Sequence, residues 1–245
     1  MVWQLPSLFL PKLATNFRLV AKDNTKTKKK TTESVFAGIP VARLGPYLAL
    51  LGTLLYIQTI AFEYTQDDAI VINENMYTTK GIRGIPGLFG HDTFFGYFKD
   101  EGKLRLVSGG RYRPLTPAMF AVEYDLVGAN PWFSHVMNAV CYGFLCWIMF
   151  GFLRALFSQR MNAPNSIQAA VISTLIFAVH PIHTEAIANI KGRDEIVAAM
   201  GALLGLWLMI RSTQEEKANS LRIGAALAFF AGMLAKENVS KKKKK

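Results

Sequence analysis

Two aspartates stand side by side, Asp67 and Asp68, in a stretch reading YTQDDAIVINEN over residues 64–75. They follow directly on an apolar run, residues 46–62, long enough to cross a bilayer. Charge is costly where hydrocarbon meets water and tends to be kept there when it lines an aqueous cavity or does chemistry. The plain alternative is that the pair marks a helix end. Arg111 and Arg113, in GGRYRPL over residues 109–115, supply a different function. An arginine fork offers parallel donors to two phosphate oxygens and stays charged; headgroup contact, or a salt bridge to Asp100, Glu101 or Glu123, would use the same residues.

A third group is the string HPIHTEAIANIKGRDE, residues 180–195. His180, His183 and Glu185 raise the question of zinc, but the helical metalloprotease signature places a glutamate between two histidines one turn apart, and that order is absent. Pro181 suits the first turn of a helix, which sets His183 and Glu185 on different faces. The better expectation is a re-entrant or interfacial helix that offers polar groups to the same pocket as Asp67. Gly192 allows a close turn there, while Lys191 and Arg193 add positive charge beside Asp194. Carboxylates on one wall and cations on the other suit displacement of a phosphate leaving group by a hydroxyl. A carboxylate takes the proton from the nucleophile and the cations stabilise the departing phosphate. Neighbouring residues point different ways on a helix, so Asp67 and Asp68 should divide the work: one the base, the other orienting substrate or loop.

These groups must be positioned by membrane helices. The 245 residues are 51% hydrophobic and 12% aromatic, with a mean hydropathy of +0.21, which excludes an ordinary soluble domain. Five segments span or nearly span: 46–62, 134–157, 167–179, 196–210 and 223–234. The last three are short for a bilayer, so flanking residues or neighbours must help. Gly201 and Gly205 give the fourth a small face for close packing. Much of the formal net charge of +11 sits in two lysine tracts, 22–30 and 241–245, and at span ends. Basic residues such as Arg43, Arg154, Arg160 and Arg211 all fall on one side if the spans alternate, which makes that side and the N-terminus cytoplasmic. A nucleic-acid surface would instead interleave cations with aromatics on a folded face, so no nucleic-acid partner is expected.

The opposite side then receives a long loop, 63–133, and a short one, 180–195. Glycines punctuate the long loop into pieces such as 85–89 and 93–98, read as short interfacial helices, with Pro114, Pro117 and Pro131 ending others. Residues 1–43 read as a cytoplasmic arm and 239–245 as a lysine tail. Cys141 and Cys146 lie in an apolar run and read as packing residues.

A span ending in Asp-Asp, a Gly-rich loop carrying Arg-Tyr-Arg-Pro-Leu, the 180–195 string and Lys236-Glu237-Asn238 after a span together resemble the membrane part of tetratricopeptide-containing protein O-mannosyltransferase-like proteins and their bacterial relatives, in the GT-C superfamily. The likeness covers roughly residues 44–238. It implies an all-α, GT-C-like bundle with a large external first loop. It further implies an inverting transferase that moves a sugar from a polyprenyl- or dolichyl-phosphate to a hydroxyl, commonly of Ser or Thr. An acidic residue of the first external loop is then the base, at Asp67 or Asp68. Inversion needs one base and no covalent sugar intermediate. Some superfamily members hold a divalent cation, Mg or Mn, at the acidic residues and the protein O-mannosyltransferases are thought to work without one, so the resemblance leaves the metal open.

The implied partners are membrane lipid, a lipid-phosphate sugar donor and a protein or peptide acceptor. The short-loop string looks closer to the bacterial relatives, which favours a bacterial inner membrane, with the endoplasmic reticulum as the alternative. Relatives continue past Lys-Glu-Asn with further spans, so the resemblance implies a truncated module, whether a fragment, a frameshifted product or a tagged form; a partner subunit supplying the missing spans belongs to the alternative that follows. The alternative function is a truncated, non-catalytic membrane subunit. A transporter would call for broken helices or mid-membrane charge, and the spans are nearly free of charge.

Overall fold

The computed structural model describes residues 38–100, 111–214 and 218–236. The expected arm is therefore described only from Gly38 onward, and Glu101, Glu237, Asn238 and the lysine tail lie outside the described residues.

The chain is an all-α, polytopic membrane bundle. Helix α1, Val41–Leu55, runs on through a 3-10 turn, Ile57–Ala61. A long loop follows with short helices α2 (Gln66–Val71), α3 (Ile85–Gly90), α4 (Phe95–Phe98) and α5 (Leu115–Val127). The remaining frame is α6 (Pro131–Phe157), α7 (Ala163–Val179), a short α8 (Thr184–Ala188), α9 (Arg193–Ser212) and α10 (Ala218–Ala235). Among the described residues four helices are long and apolar enough to span, and α7 joins them as a fifth only together with the segment Pro181–Ala188, bent from it by 52°.

Local chemistry explains where these helices begin and end. Pro131 starts α6 rather than ending the element before it: Asn130 accepts a hydrogen bond from the Phe133 N–H, and proline at the first helical position gives up an N–H that would have no partner. Pro114 and Pro117 likewise sit at the start of α5, not at an end. The short spans are lengthened by their flanks. Asn162 caps α7 at residue 163, and α9 recruits Arg193, Asp194 and Glu195 into its first turn, where the two acids suit the helix dipole. The bend after α7 falls at His180-Pro181, because a residue before proline is driven to extended backbone and the proline cannot continue the hydrogen-bond ladder.

Helix α6 is the hub, packing against α1, α7, α8 and α9. Its inner face, with Ala139, Tyr142, Leu145 and Cys146, is buried, and Cys141 and Cys146 are both free, buried thiols. The Tyr142 hydroxyl donates to the Ala178 carbonyl at 3.0 Å and so holds the last turn of α7 against α6. Helices α9 and α10 pair most closely. A Cβ on Gly201 would lie 2.6 Å from the Ala228 carbonyl oxygen, so only glycine permits that approach. The outward faces carry exposed apolar residues at helical spacing, Ile172, Ile176 and Val179 on α7 and Ile223, Leu227 and Phe230 on α10, a pattern that suits lipid.

Gly201→Leu is expected to force α9 from α10 at a cost of about 1–3 kcal/mol. The check is a lowered thermal midpoint of the detergent-solubilised protein, with the lipid-facing Ile176→Leu leaving the midpoint unchanged.

Candidate functional site

The long loop and the short loop meet at one end of the bundle, and Asp68 is one of the joints. Helix α2 opens with a capping box in which the Asp68 carboxylate turns back on Thr65, accepting from its N–H at 2.8 Å and from its hydroxyl at 2.9 Å. The other carboxylate oxygen accepts from the Lys191 backbone N–H at 2.8 Å. Asp68 is fully buried and its oxygens are committed. Asp67, one residue earlier, faces out: its side chain is 54% exposed and its carboxylate meets Lys191 Nζ at 3.0 Å. One lysine thus touches both aspartates, by its backbone and by its side chain. The turn that presents it depends on Gly192, where a Cβ would lie 2.3 Å from the Ala186 carbonyl oxygen.

Lys191 also lines a cleft together with Arg111, Arg113, Asp194 and the apolar Val71, Phe94 and Phe120. Arg113 Nη1 donates to Asp194 at 2.7 Å, and the Arg111 guanidinium lies over the Phe94 ring, 5.5 Å from its centroid. Both arginines are held from behind: the Arg111 N–H donates to Asp92, and the Arg113 N–H donates to the Thr93 hydroxyl at 2.9 Å. Lys236, just past α10, reaches Asp194 at 4.0 Å and also pairs with Glu195. The cleft keeps only about 20 Å³ of free space, room for about one water.

Arg193 has a different setting from the one its sequence position suggests. It is fully buried beneath the cleft. Its Nε donates to the Asn138 side-chain oxygen at 2.6 Å and its Nη2 to the Ser134 carbonyl at 3.0 Å. Both Nη groups engage Glu123, and the guanidinium rests over Phe120 at 4.4 Å. Glu123 also accepts from the Ser134 hydroxyl at 2.8 Å. The Asn138 amide lies within hydrogen-bond distance of the carbonyls of Ile187, Asn189 and Ile190, so this network clamps the short loop to α5 and α6. Nearby, burial pushes the Tyr64 phenol above the ordinary tyrosine range.

His180, His183 and Glu185 are not brought to the cleft. His180 Nδ1 accepts from the Ile182 N–H at 3.2 Å and caps the turn, His183 packs on Phe177 with centroids 4.3 Å apart, and Glu185 is exposed. Of the residues singled out from sequence, Asp67, Asp68, Arg111, Arg113, Lys191 and Asp194 therefore converge. Lys236, Glu123 and Asn138 also reach that region, and of these only Lys236 carries a sequence signal, in the Lys-Glu-Asn motif after the last span. A divalent cation does not fit here: the Asp68 oxygens are used by three N–H and O–H donors and Asp67 faces an ammonium. Among the described residues no group of three or more His, Cys, Asp or Glu side chains gathers as a metal cage.

Comparison with known proteins finds relatives over part of the chain. The protein O-mannosyl-transferase TMTC1 of Homo sapiens is 30% identical over 179 residues, 73% of this chain and 19% of that protein. The protein O-mannosyl-transferase tmtc2 of Xenopus laevis is 31% identical over 158 residues, 64% and 17% of the two chains. This chain is a distant, partial match to the TMTC proteins. It has a family-level resemblance to O-mannosyltransferase-like GT-C proteins, also seen with TMTC4 of Mus musculus, 30% identical over 188 residues, 71% of this chain and 24% of that one. The matched stretch spans about a fifth of the length of these TMTC relatives. No family model and no solved structure matches the chain.

Burial separates the ion pairs energetically. Glu123→Gln leaves the Arg193 charge uncompensated in the interior and is expected to cost about 3–5 kcal/mol. Asp67→Asn breaks an exposed pair and should cost under about 1 kcal/mol. Denaturant or thermal unfolding of the two variants in one detergent checks the contrast.

Proposed function

We propose that this chain forms the base-bearing and phosphate-binding end of an inverting GT-C-type transferase. The donor is a sugar on polyprenyl or dolichyl phosphate, with mannose suggested by the names of the TMTC relatives. The acceptor is a hydroxyl, in our reading that of a protein Ser or Thr. The functional module is residues 44–238.

The observation that carries the proposal is the placement of Lys191, whose ammonium is 3.0 Å from an exposed carboxylate, Asp67, and which lines a cleft with Arg111 and Arg113. Asp67 is the base and Asp68 the positioning residue, since a base must reach solvent and substrate while a saturated, buried carboxylate holds its loop. In the reaction the acceptor oxygen attacks the anomeric carbon as Asp67 takes its proton. The bond from that carbon to the phosphate oxygen breaks, and the electron pair leaves on the lipid phosphate, whose charge Lys191, Arg111 and Arg113 stabilise. Substrate phosphate drawing Lys191 toward the cleft would free Asp67 to accept the proton.

The clustering of Arg154, Arg160 and Arg211 away from this end supports placing the site on the non-cytoplasmic side, with the N-terminus cytoplasmic. The short-loop string 180–195 favours a bacterial inner membrane as its location, with the endoplasmic reticulum as the alternative. A second reading, a non-catalytic subunit, draws on the small volume of the cleft and requires a partner subunit that contributes further spans.

In liposomes supplied with a polyprenyl-phosphate sugar and an acceptor peptide, Asp67→Asn is expected to lower transfer by about 10²–10⁴-fold without unfolding the protein. An unchanged rate in that variant overturns the assignment of the base. No transfer by the wild type alone, restored by a co-purified membrane partner, supports the subunit reading instead.

A further inference from the structure

One hydroxyl in the cleft near Asp67 has no partner. Thr116 lines that cleft together with Arg111, Lys191 and Asp194, is only 2% exposed, and its Oγ1 makes no hydrogen bond among the described residues. The local backbone explains why. Threonines inside longer helices of this chain donate back to a carbonyl one turn earlier, Thr53 to Ala49 at 3.0 Å and Thr174 to Ala170 at 2.8 Å. Thr116 is the second residue of α5, so Tyr112 and Arg113, which would offer such a carbonyl, precede the helix. Pro117, next in the chain, has no N–H to give. The other polar groups of the lining are engaged: Asp194 accepts from Arg113 at 2.7 Å, and the Thr93 hydroxyl accepts from the Arg113 N–H at 2.9 Å. A buried hydroxyl without a partner is a cost that valine, of nearly the same shape, would not carry. Asn73 and His135 also hold buried polar atoms without partners, but neither lines this cleft.

We propose that the Thr116 hydroxyl donates to a phosphate oxygen of the lipid-phosphate donor and is therefore a binding residue of this site. The inference rests on the transferase reading. An ionised phosphate oxygen only accepts, so it complements a hydroxyl whose proton is unused. The free space of about 20 Å³ admits one oxygen-sized group, so one non-bridging oxygen reaches Thr116 while another meets Arg111 and Lys191. The cations attract an anion of any shape. A buried donor in a space of one oxygen favours an anion whose oxygen protrudes, as it does from a tetrahedral phosphate. Binding then also relieves an unsatisfied group that the free protein carries.

The test is thermal unfolding of the full chain in detergent, alone and titrated with farnesyl phosphate, farnesol or inorganic phosphate. Farnesyl phosphate should raise the wild-type midpoint and farnesol should not. Without ligand, Thr116→Val should unfold at the wild-type midpoint or up to about 4 °C above it. It should bind farnesyl phosphate about 10–100-fold more weakly, the loss of one hydrogen bond to a charged group. Thr116→Ser keeps the hydroxyl and should bind as the wild type does. A lowered midpoint of unliganded Thr116→Val overturns the proposal, because the hydroxyl then serves the fold. Equal binding by Thr116→Val and wild type overturns it and leaves the transferase reading in place; equal weakening in Thr116→Ser and Thr116→Val also overturns it. No binding of farnesyl phosphate by the wild type, or equal binding of farnesol, overturns the proposed donor and this inference with it. Inorganic phosphate bound as tightly as farnesyl phosphate overturns the lipid phosphate as the ligand.

Discussion

A guanidinium with no access to water organises this end of the molecule. Arg193 carries a charge that cannot leave, so it must be matched, and Glu123, Asn138 and the Ser134 carbonyl supply the match from two other helices. An isolated buried charge is too costly to tolerate, and removing one partner is far worse than never having built the pair. The consequence is geometric. Helix α9 must begin where Arg193 can reach α5 and α6, and the short loop before it is fixed by the Asn138 amide. Lys191, two residues away, inherits its position from that arrangement.

Two adjacent carboxylates then acquire opposite characters. The backbone of α2 turns Asp68 inward, where the Thr65 donors and the Lys191 N–H replace its water. The same turn leaves Asp67 outside with a single ammonium partner. A residue that holds two loops together by three hydrogen bonds cannot leave them without weakening the joint. A residue paired once, at the surface, can exchange that partner at little cost. The contrast between the two side chains follows from burial.

The frame of the fold was legible in sequence because apolar runs and flanking charge are one-dimensional signals. The five runs match the five long helices, and the expected short pieces near 85–89 and 93–98 appear as Ile85–Gly90 and Phe95–Phe98. Proline is ambiguous at a boundary, since it can end one helix or start the next: at Pro131 the deciding feature is Asn130 before it, which makes the proline a start. In the candidate site, the convergence of Asp67, Arg113, Lys191 and Asp194 followed from alternating spans. The separation of Arg193 from the cleft did not, because identical neighbours in sequence, a lysine and an arginine two residues apart, differ only in which way a 3-10 turn faces them. Nor could Glu123 be assigned to Arg193, since the pair is 70 residues apart and nothing local distinguishes Glu123 from a solvent-facing acid on α5.

Cations gather at both ends of the bundle, and the contrast between the ends shows why charge alone does not define function. Near Asp67 they are interleaved with Asp194 and Glu195 and nearly close the space between them. Such a cluster stores its positive potential in pairs that an incoming phosphate can take over one at a time, which favours exchange over tight capture. At the far end Arg154 and Arg211 stand in the last turns of α6 and α9, where a cation suits the negative end of the helix dipole and the side of a membrane on which basic residues gather. The two sets of cations therefore differ in what their positions require: a helix end accounts for the second, whereas the first needs partners from three separate segments brought together by the fold.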